Sequence, residues 1–129
     1  MGPSITVAHM TINQLSAQLP FTTKDGSTIR SILDLTNAPV KNQSLAEANI
    51  PVGRPTERHF HKLSEEFYFI LEGTGVMEID GENQIVRTGD GIHIPAGAWH
   101  QITATENLRL LCCCAPPYSH DDTYFAPEG

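Results

Sequence analysis

Turn-forming residues interrupt this chain at short and regular intervals, and that spacing constrains its fold more than any other feature. Glycine, proline, asparagine and aspartate recur in pairs and triplets between apolar segments, and these are the residues that tight turns require. The clearest examples are Asn37-Ala-Pro39, Asp80-Gly81, Gly89-Asp-Gly91 and Pro95-Ala-Gly97. Segments bounded so closely are too short for most helices but suit strands. The spacing therefore predicts many short strands.

The segments between these turns are rich in β-branched and aromatic residues, and several alternate apolar with polar positions. They are STIRSILDL, ERHFH, EFYFIL, GVMEI, QIVRT, GIHIP, WHQITAT and LRLLCCC. In VMEIDGENQIV, Asp80-Gly81 supplies residues that tolerate the positive φ of a tight hairpin turn. A helix is expected only from Thr11 to Leu19, where Thr11 or Asn13 could cap a short apolar pattern. The chain is expected to be all-β, an antiparallel sandwich or barrel with little helix.

Composition bounds the classes of function that remain. A chain of 129 residues is one domain long, and a net charge of −7 without a basic cluster disfavours nucleic acid and anionic membranes as partners. No apolar run approaches the roughly 20 residues that span a bilayer, and MGPSITVAHMTINQ lacks the pattern of a secretory signal. The adjacent Cys112, Cys113 and Cys114 offer no disulfide framework and suit a reducing compartment. We therefore expect a cytoplasmic protein.

Four of the six histidines fall in two short windows, PVGRPTERHFHKLSEEFYFILEG and GDGIHIPAGAWH. His59 and His61 are two residues apart on an extended segment, so both imidazoles project from one face of a strand. A carboxylate, Glu65 or Glu66, begins the next apolar strand and would lie beside the two rings. His100 follows a tight turn near the start of another strand. Together these side chains could supply four ligands to one metal ion.

The two windows resemble the two signature motifs of the cupin superfamily of small β-barrel or jelly-roll proteins. The fixed positions of the first motif are Gly53, His59, His61, Glu66 and Gly73, and those of the second are Gly89, Pro95, Gly97 and His100. The terminal Asn of the second pattern is absent, since Ala104 occupies that position. The resemblance favours Glu66 over Glu65, because six residues separate Glu66 from Gly73.

The resemblance implies a single cupin barrel over residues 29–117, an N-terminal segment 1–28 that packs on it or pairs with it, and a C-terminal tail 118–129. It also implies one divalent ion, Zn, Fe, Mn, Ni or Co, held by His59, His61, Glu66 and His100. With two coordination positions open, such an ion would chelate a small oxygen-rich metabolite and support its isomerisation, dehydration or cyclisation, or dioxygenation. Outward apolar faces often serve dimerisation in this family, so the stripe Phe67, Phe69 and Leu71 suggests a homodimer.

Two other functions are compatible with the same motifs. One is a non-catalytic module that binds a sugar, an acid or another small molecule for a partner. The other is a structural barrel that has lost its ion. A catalyst should place at least one titratable side chain within reach of the open coordination positions, whereas a binding module need not.

Several further residues are candidates for the pocket. Arg30 could bind a substrate carboxylate or phosphate inside the barrel or could lie on an exposed face, and Tyr68 could act beside the ligands. Trp99 could form the wall or rim of the pocket. Alternation puts Cys112 and Cys114 on one face and Cys113 on the other, so we expect them to pack rather than to share an ion. His93 is expected to point away from the metal, and His9 and His120 to be solvated.

Overall fold

The structure, a computed structural model, describes residues 7–23 and 26–127. Residues 1–6, 24 and 25 of the expected N-terminal segment and residues 128 and 129 of the expected tail therefore lie outside its description. Within the described residues the chain forms strands and two 3-10 turns, Leu15–Ala17 and His120–Asp122. The strands are β1 (Phe21–Thr22), β2 (Thr28–Leu33), β3 (Ser44–Ile50), β4 (His59–His61), β5 (Glu65–Glu72), β6 (Thr74–Ile79), β7 (Glu82–Arg87), β8 (Gly91–Ile94), β9 (His100–Ala104), β10 (Leu108–Ala115) and β11 (Thr123–Phe125).

These strands make two antiparallel sheets in a jelly roll, which confirms the expected all-β fold with little helix. One sheet has the order β1-β2-β3-β10-β5-β8 and the other β11-β4-β9-β6-β7. The hydrophobic core lies between them, with Ile70, Ile94 and Leu110 from the first sheet and Met77 and Ile102 from the second. Neither 3-10 turn in the described part of the chain is long and apolar enough to cross a membrane.

Strand β5 shows how the two-residue period of a strand predicts which side chains are buried. Its side chains alternate between solvent and interior from Glu65 to Ile70, so that Glu66, Tyr68 and Ile70 are buried. The partner strand β10 fixes this register, because Glu66 lies opposite Cys114 and Phe67 opposite Cys113. A shift of one residue would expose the buried row and bury the exposed one.

The hairpin predicted at Asp80-Gly81 is also present. Strands β6 and β7 pair with Ile79 opposite Glu82, which leaves Asp80 and Gly81 as a two-residue turn. Their φ angles are +46° and +90°, the left-handed conformation that such hairpin turns require. The Asp80 side chain accepts a hydrogen bond from the backbone amide of Trp99 at 2.9 Å, which ties the turn to β9.

The helix expected over Thr11 to Leu19 is wrong apart from the single turn Leu15–Ala17. The Asn13 side chain caps no helix; its amide instead donates hydrogen bonds to the carbonyls of Ile32 and Asn37. A helix this short needs an apolar face packed on the core. None of the three residues of this turn is buried, and Leu19 is 91% exposed.

The sequence prediction also missed β3, a central strand of the larger sheet. Its sequence SLAEANI contains Ala, Glu and Asn, which have low strand propensity, so its composition gave no signal. The strand is stabilised by its neighbours instead, since β2 pairs along one edge and β10 along the other. Tertiary pairing here overrides local preference.

Glycine at position 73 is required by space as well as by its backbone conformation. Gly73 has a φ of +90°, and a Cβ atom there would lie 2.1 Å from the backbone oxygen of Asn107. Gly81 has the same φ, but nothing lies within 4 Å of its added Cβ atom. Alanine substitutions at the two positions would therefore share the same backbone strain, but only the one at Gly73 would add steric overlap.

We expect Gly73→Ala to lower the free energy of unfolding by more than about 3 kcal/mol, because the backbone of Asn107 must move. Gly81→Ala should lower the free energy of unfolding by only about 1–2 kcal/mol, because a residue with a Cβ atom is strained in the left-handed conformation. Chemical denaturation of both variants measures the difference. Equal losses would show that overlap with Asn107 contributes nothing.

Candidate metal centre

Three strands bring the four expected ligands together. His59 and His61 lie on β4, Glu66 is the second residue of β5, and His100 begins β9. One ligand atom from each of the four side chains lies within 4.8 Å of the other three. The pairing of β4 with β9 is responsible for part of this geometry, because it sets His59 directly opposite His100.

Each imidazole is oriented by a backbone carbonyl on the side away from the cluster. Nδ1 lies 2.9 Å from the Glu57 oxygen in His59, 3.3 Å from the Asp122 oxygen in His61 and 3.0 Å from the Ala98 oxygen in His100. A carbonyl can only accept, so in the neutral form of each ring Nδ1 carries the proton and Nε2 keeps its lone pair. This is the tautomer that a metal ligand requires.

The middle of the cluster holds polar atoms without hydrogen-bond partners. Glu66 Oε1 lies 3.4 Å from His61 Nε2 and 3.3 Å from His100 Nε2. Among the described residues, Glu66 Oε1 and His100 Nε2 are both buried and make no hydrogen bond. Leaving such atoms unpaired in the interior is costly. A divalent cation would satisfy them all, so this donor set fits a metal ion.

The ionisation of these groups also suits a cation. Burial, together with the neighbouring His100, lowers the pKa of His59 to about 4, so this imidazole is neutral at physiological pH. Burial alone would raise the pKa of Glu66, but hydrogen bonds from, and the positive charge of, the protonated forms of His100 and His61 outweigh burial and hold the pKa at about 2. Burial opposes protonation of His61 as well, but contact with Glu66 raises its pKa. The cluster thus surrounds a buried carboxylate that stays ionised at physiological pH.

The cysteine run contributes to the site from β10. Cys114 is buried, and its thiol donates a hydrogen bond to Glu66 Oε2 at 3.4 Å. Burial raises the pKa of both Cys112 and Cys114, so both remain protonated thiols. Cys113 lies on the opposite face, with its sulfur 3.7 Å from Gln43 Oε1. The expected alternation of the three cysteines is confirmed. Because Cys114 binds Oε2 of Glu66, the other oxygen, Oε1, faces His61 and His100.

The C-terminal tail also orients a ligand, and sequence reasoning missed this role. The buried carboxylate of Asp122 accepts hydrogen bonds of 3.0–3.2 Å from the backbone amides of Lys62, Leu63 and Ser64, which form the turn between β4 and β5. The carbonyl of the same residue accepts from His61 Nδ1. Strand β11 then pairs with β4 along its outer edge. The tail therefore fixes the ligand strand from the side opposite β9.

A cavity of about 970 Å³ opens from the cluster between the two sheets. His59, His61 and Glu66 form part of its wall at one end. Tyr68, Cys112 and Cys114 line it as well, and the Tyr68 ring centroid lies 6.2 Å from that of His100. This volume matches that of pockets which enclose a molecule with one or more rings.

The remaining candidate residues lie elsewhere. Arg30 is not brought to the site: its neighbours Ile29 and Ser31 line the cavity, so alternation along β2 directs Arg30 to the other face of the sheet. Trp99 does not line the cavity either and packs against Phe60, with ring centroids 4.6 Å apart. His120, expected to be solvated, is exposed but lines the mouth of the cavity.

Two residues near the motifs are outside the cluster, as expected. His93 Nε2 lies 3.1 Å from Glu65 Oε2, and both side chains are 55% exposed. Glu65 therefore faces solvent while Glu66 faces the imidazoles, in agreement with the spacing of the first motif. No pattern in the sequence singled out Asp122, because its partners lie about sixty positions earlier in the chain.

We expect Asp122→Asn to lower the free energy of unfolding by about 1–3 kcal/mol, because an amide cannot accept all the hydrogen bonds that the carboxylate accepts. The adjacent Asp121 is exposed and gives a matched control. Asp121→Asn should change stability by no more than about 0.5 kcal/mol. Chemical denaturation measures both variants, and similar losses in the two would contradict the role assigned to Asp122.

Comparisons with known proteins agree with this geometry. The family model of the cupin domain matches residues 46–114. An uncharacterized protein of Methanocaldococcus jannaschii is 50% identical over 106 residues, which cover 81% of this chain and 85% of that protein. A dimethylsulfoniopropionate lyase of Ruegeria pomeroyi is 33% identical over 82 residues, which cover 63% of this chain and 53% of the lyase.

Solved structures share the fold at low sequence identity. A nucleoside dehydratase from Streptomyces, also solved with uridine, superposes with a TM-score of 0.79 at 14% identity over 92% of each chain. A polyketide cyclase from Streptomyces resistomycificus superposes with a TM-score of 0.77 at 19% identity, over 94% of this chain and 88% of the cyclase. At this identity the likeness shows the fold alone. With the family model matched across both signature motifs, the chain belongs to the cupin family.

Proposed function

We propose that His59, His61, Glu66 and His100 hold one divalent metal ion, and that the protein uses it to bind and convert a small molecule through oxygen atoms. The observation that carries this proposal is the buried cluster of three Nε2 lone pairs and one ionised carboxylate. Nitrogen and oxygen donors of this kind suit Zn, Fe, Mn, Ni or Co. The cluster forms one wall of a cavity, so a ligand in that cavity would reach the ion.

The protein's own residues perform distinct tasks in this proposal. The carbonyls of Glu57, Ala98 and Asp122 hold the three rings in one tautomer, and Cys114 holds the outer oxygen of Glu66. The apolar part of the cavity wall, which includes Ile29, Ala48 and Leu110, would exclude water from that part of the ligand. When bound, the ion would act as a Lewis acid that polarises the ligand's oxygen atoms and makes adjacent C–H and O–H bonds more acidic.

Tyr68 is the best-placed residue to move a proton in this cavity. It is buried, lines the cavity and lies beside His100. A phenol can donate or accept a proton during isomerisation or during the loss of water that accompanies cyclisation. The relatives that act as a dehydratase, a cyclase or a lyase support this group of reactions as the proposed activity. Dioxygenation stays a proposed alternative, since two relatives are acireductone dioxygenases.

The homodimer and the cytoplasmic location stay predictions. The outer face of β5 carries the expected apolar stripe, with Phe67 54% exposed and Phe69 45% exposed. Across β10 the neighbours of these two residues on the same face are Cys113 and Leu111. An apolar face of this kind is suited to pairing with a second copy of the chain.

Protein purified from unsupplemented medium should contain about one equivalent of divalent metal, measured by elemental analysis. His61→Ala should lose most of it, because one of four ligands is removed. His93→Ala should keep it, because His93 is exposed and pairs with Glu65. Less than about a tenth of an equivalent in the unsubstituted protein, even after addition of metal, would rule out the proposal.

The two adjacent carboxylates provide a second matched pair for the same measurement. Glu66→Gln should lower the metal content strongly, since it replaces the buried charged ligand, whereas Glu65→Gln should leave the content unchanged. A larger loss from Glu65→Gln would show that the wrong carboxylate has been assigned to the ion.

Catalysis can be separated from binding without knowledge of the natural substrate. Metal-loaded protein should speed the exchange of the C–H proton next to the carbonyl in α-hydroxy ketones such as benzoin and acetoin, followed by NMR in deuterated water. Tyr68→Phe should slow this exchange by about 10²-fold or more while metal content is unchanged. Ligand binding with neither exchange nor oxygen uptake would identify a non-catalytic binding module instead.

A further inference from the structure

The floor of the cavity changes in character with distance from the metal ligands. The larger sheet supplies three parallel rows of inward side chains, set by the registers of β3, β5 and β10. The row nearest the cluster contains Glu66, Cys114 and Ser44, and the next contains Tyr68, Cys112, Ala46 and Ser31. The cavity is thus polar where the four ligands meet and becomes less polar away from them.

The third row is apolar in all its cavity-lining members. Leu110 lies opposite Ala48, which in turn lies opposite Ile29, and all three line the cavity. Ala46 and Ala48 are small, so the middle of β3 leaves space above the floor where larger side chains would fill it. This part of the cavity can therefore hold a flat, apolar group.

The cavity offers little to a ligand with several negative charges. Among its described lining residues, Arg58 is the one Lys or Arg, and Asp34, Glu57 and Glu66 are acidic. The Arg58 guanidinium is already engaged: its Nε lies 2.6 Å from Glu78 Oε1, and its Cζ lies 5.2 Å from the centre of the Trp99 ring. His120 at the mouth is the remaining lining group outside the cluster that can become a cation.

We infer that the ligand is uncharged or nearly so in solution, with a pair of oxygen donors at one end and an apolar ring system as its body. The oxygen pair lies at the Glu66 end, and the rings lie on the floor made by Ala46, Ala48 and Leu110. On this inference, phosphorylated and polycarboxylate metabolites are not natural ligands of the cavity. This inference rests on the proposed metal function and restricts the class of molecule that the metal site would bind.

A series of ligands with the same oxygen spacing tests the inference. Acetylacetone, benzoylacetone and dibenzoylmethane each carry a 1,3-dioxygen pair and have no, one or two phenyl rings, whereas malonate has the same spacing and two negative charges. Calorimetric titration of the metal-loaded protein should show affinity rising about tenfold with each phenyl ring. Malonate should bind more weakly than benzoylacetone. Metal content measured after each titration shows that the ligand has not removed the ion.

A substitution in the floor locates the ring system. Ala46→Phe places a large side chain within the cavity and should weaken dibenzoylmethane binding by about tenfold or more. Acetylacetone has no ring and should be weakened much less than dibenzoylmethane, and circular dichroism and metal analysis of the variant show that it is folded and retains its metal. Equal weakening of both ligands would contradict the assignment of the rings to this floor.

The possible failures are distinguishable. Protein that cannot be loaded with metal refutes the proposed function and this inference with it. Metal-loaded protein that binds malonate most tightly, or that binds the three diketones equally, refutes the inference alone and leaves the metal function intact.

Discussion

The contact between one buried carboxylate and three imidazoles is the constraint on which the rest of the site depends. Glu66 is 5% exposed and ionised, so it needs positive or donor groups around Oε1. A neutral imidazole cannot donate to it here, because in the neutral ring Nδ1 holds the proton against a backbone carbonyl. A cation resolves this conflict, since it accepts three lone pairs and a negative charge at once. The metal proposal follows from this electrostatic requirement as well as from the family motif.

The fold maintains this arrangement through strands that are distant in sequence. Strand β9 pairs with β4 on one edge and β11 pairs with it on the other, so the short ligand strand is held from both sides. Asp122 secures the turn that follows β4 and orients His61 through its own carbonyl. Thr123 and Phe125 of the same tail segment also line the cavity, so one element contributes both to the cavity wall and to the orientation of His61. Docking of the tail and integrity of the site are thus coupled.

The cavity gives the site its selectivity. A metal ion with open positions accepts many oxygen ligands, so discrimination must come from the surrounding walls. Among the described lining residues, Leu110, Ala48 and Ile29 lie beyond the polar end, and the one arginine, Arg58, pairs with Glu78. In the proposed function, this floor would favour an apolar body of the bound molecule, while the metal ion would recognise its oxygen pair. The proposal thus narrows the expected oxygen-rich metabolite to one with an apolar part.

The sequence by itself determined the all-β fold and the Asp80-Gly81 hairpin, because these follow from local periodicity and turn chemistry. Its resemblance to the cupin motifs predicted the four side chains that the structure groups together. The sequence could not determine that SLAEANI would be a central strand, since pairing with β2 and β10 outweighs weak propensity. Tertiary structure alone decided that Arg30 faces away from the cavity, that Asp122 orients His61, and that small and apolar residues form the floor. The physical reason is distance along the chain: strand alternation relates residues two positions apart, whereas sheet registers bring together residues separated by about sixty.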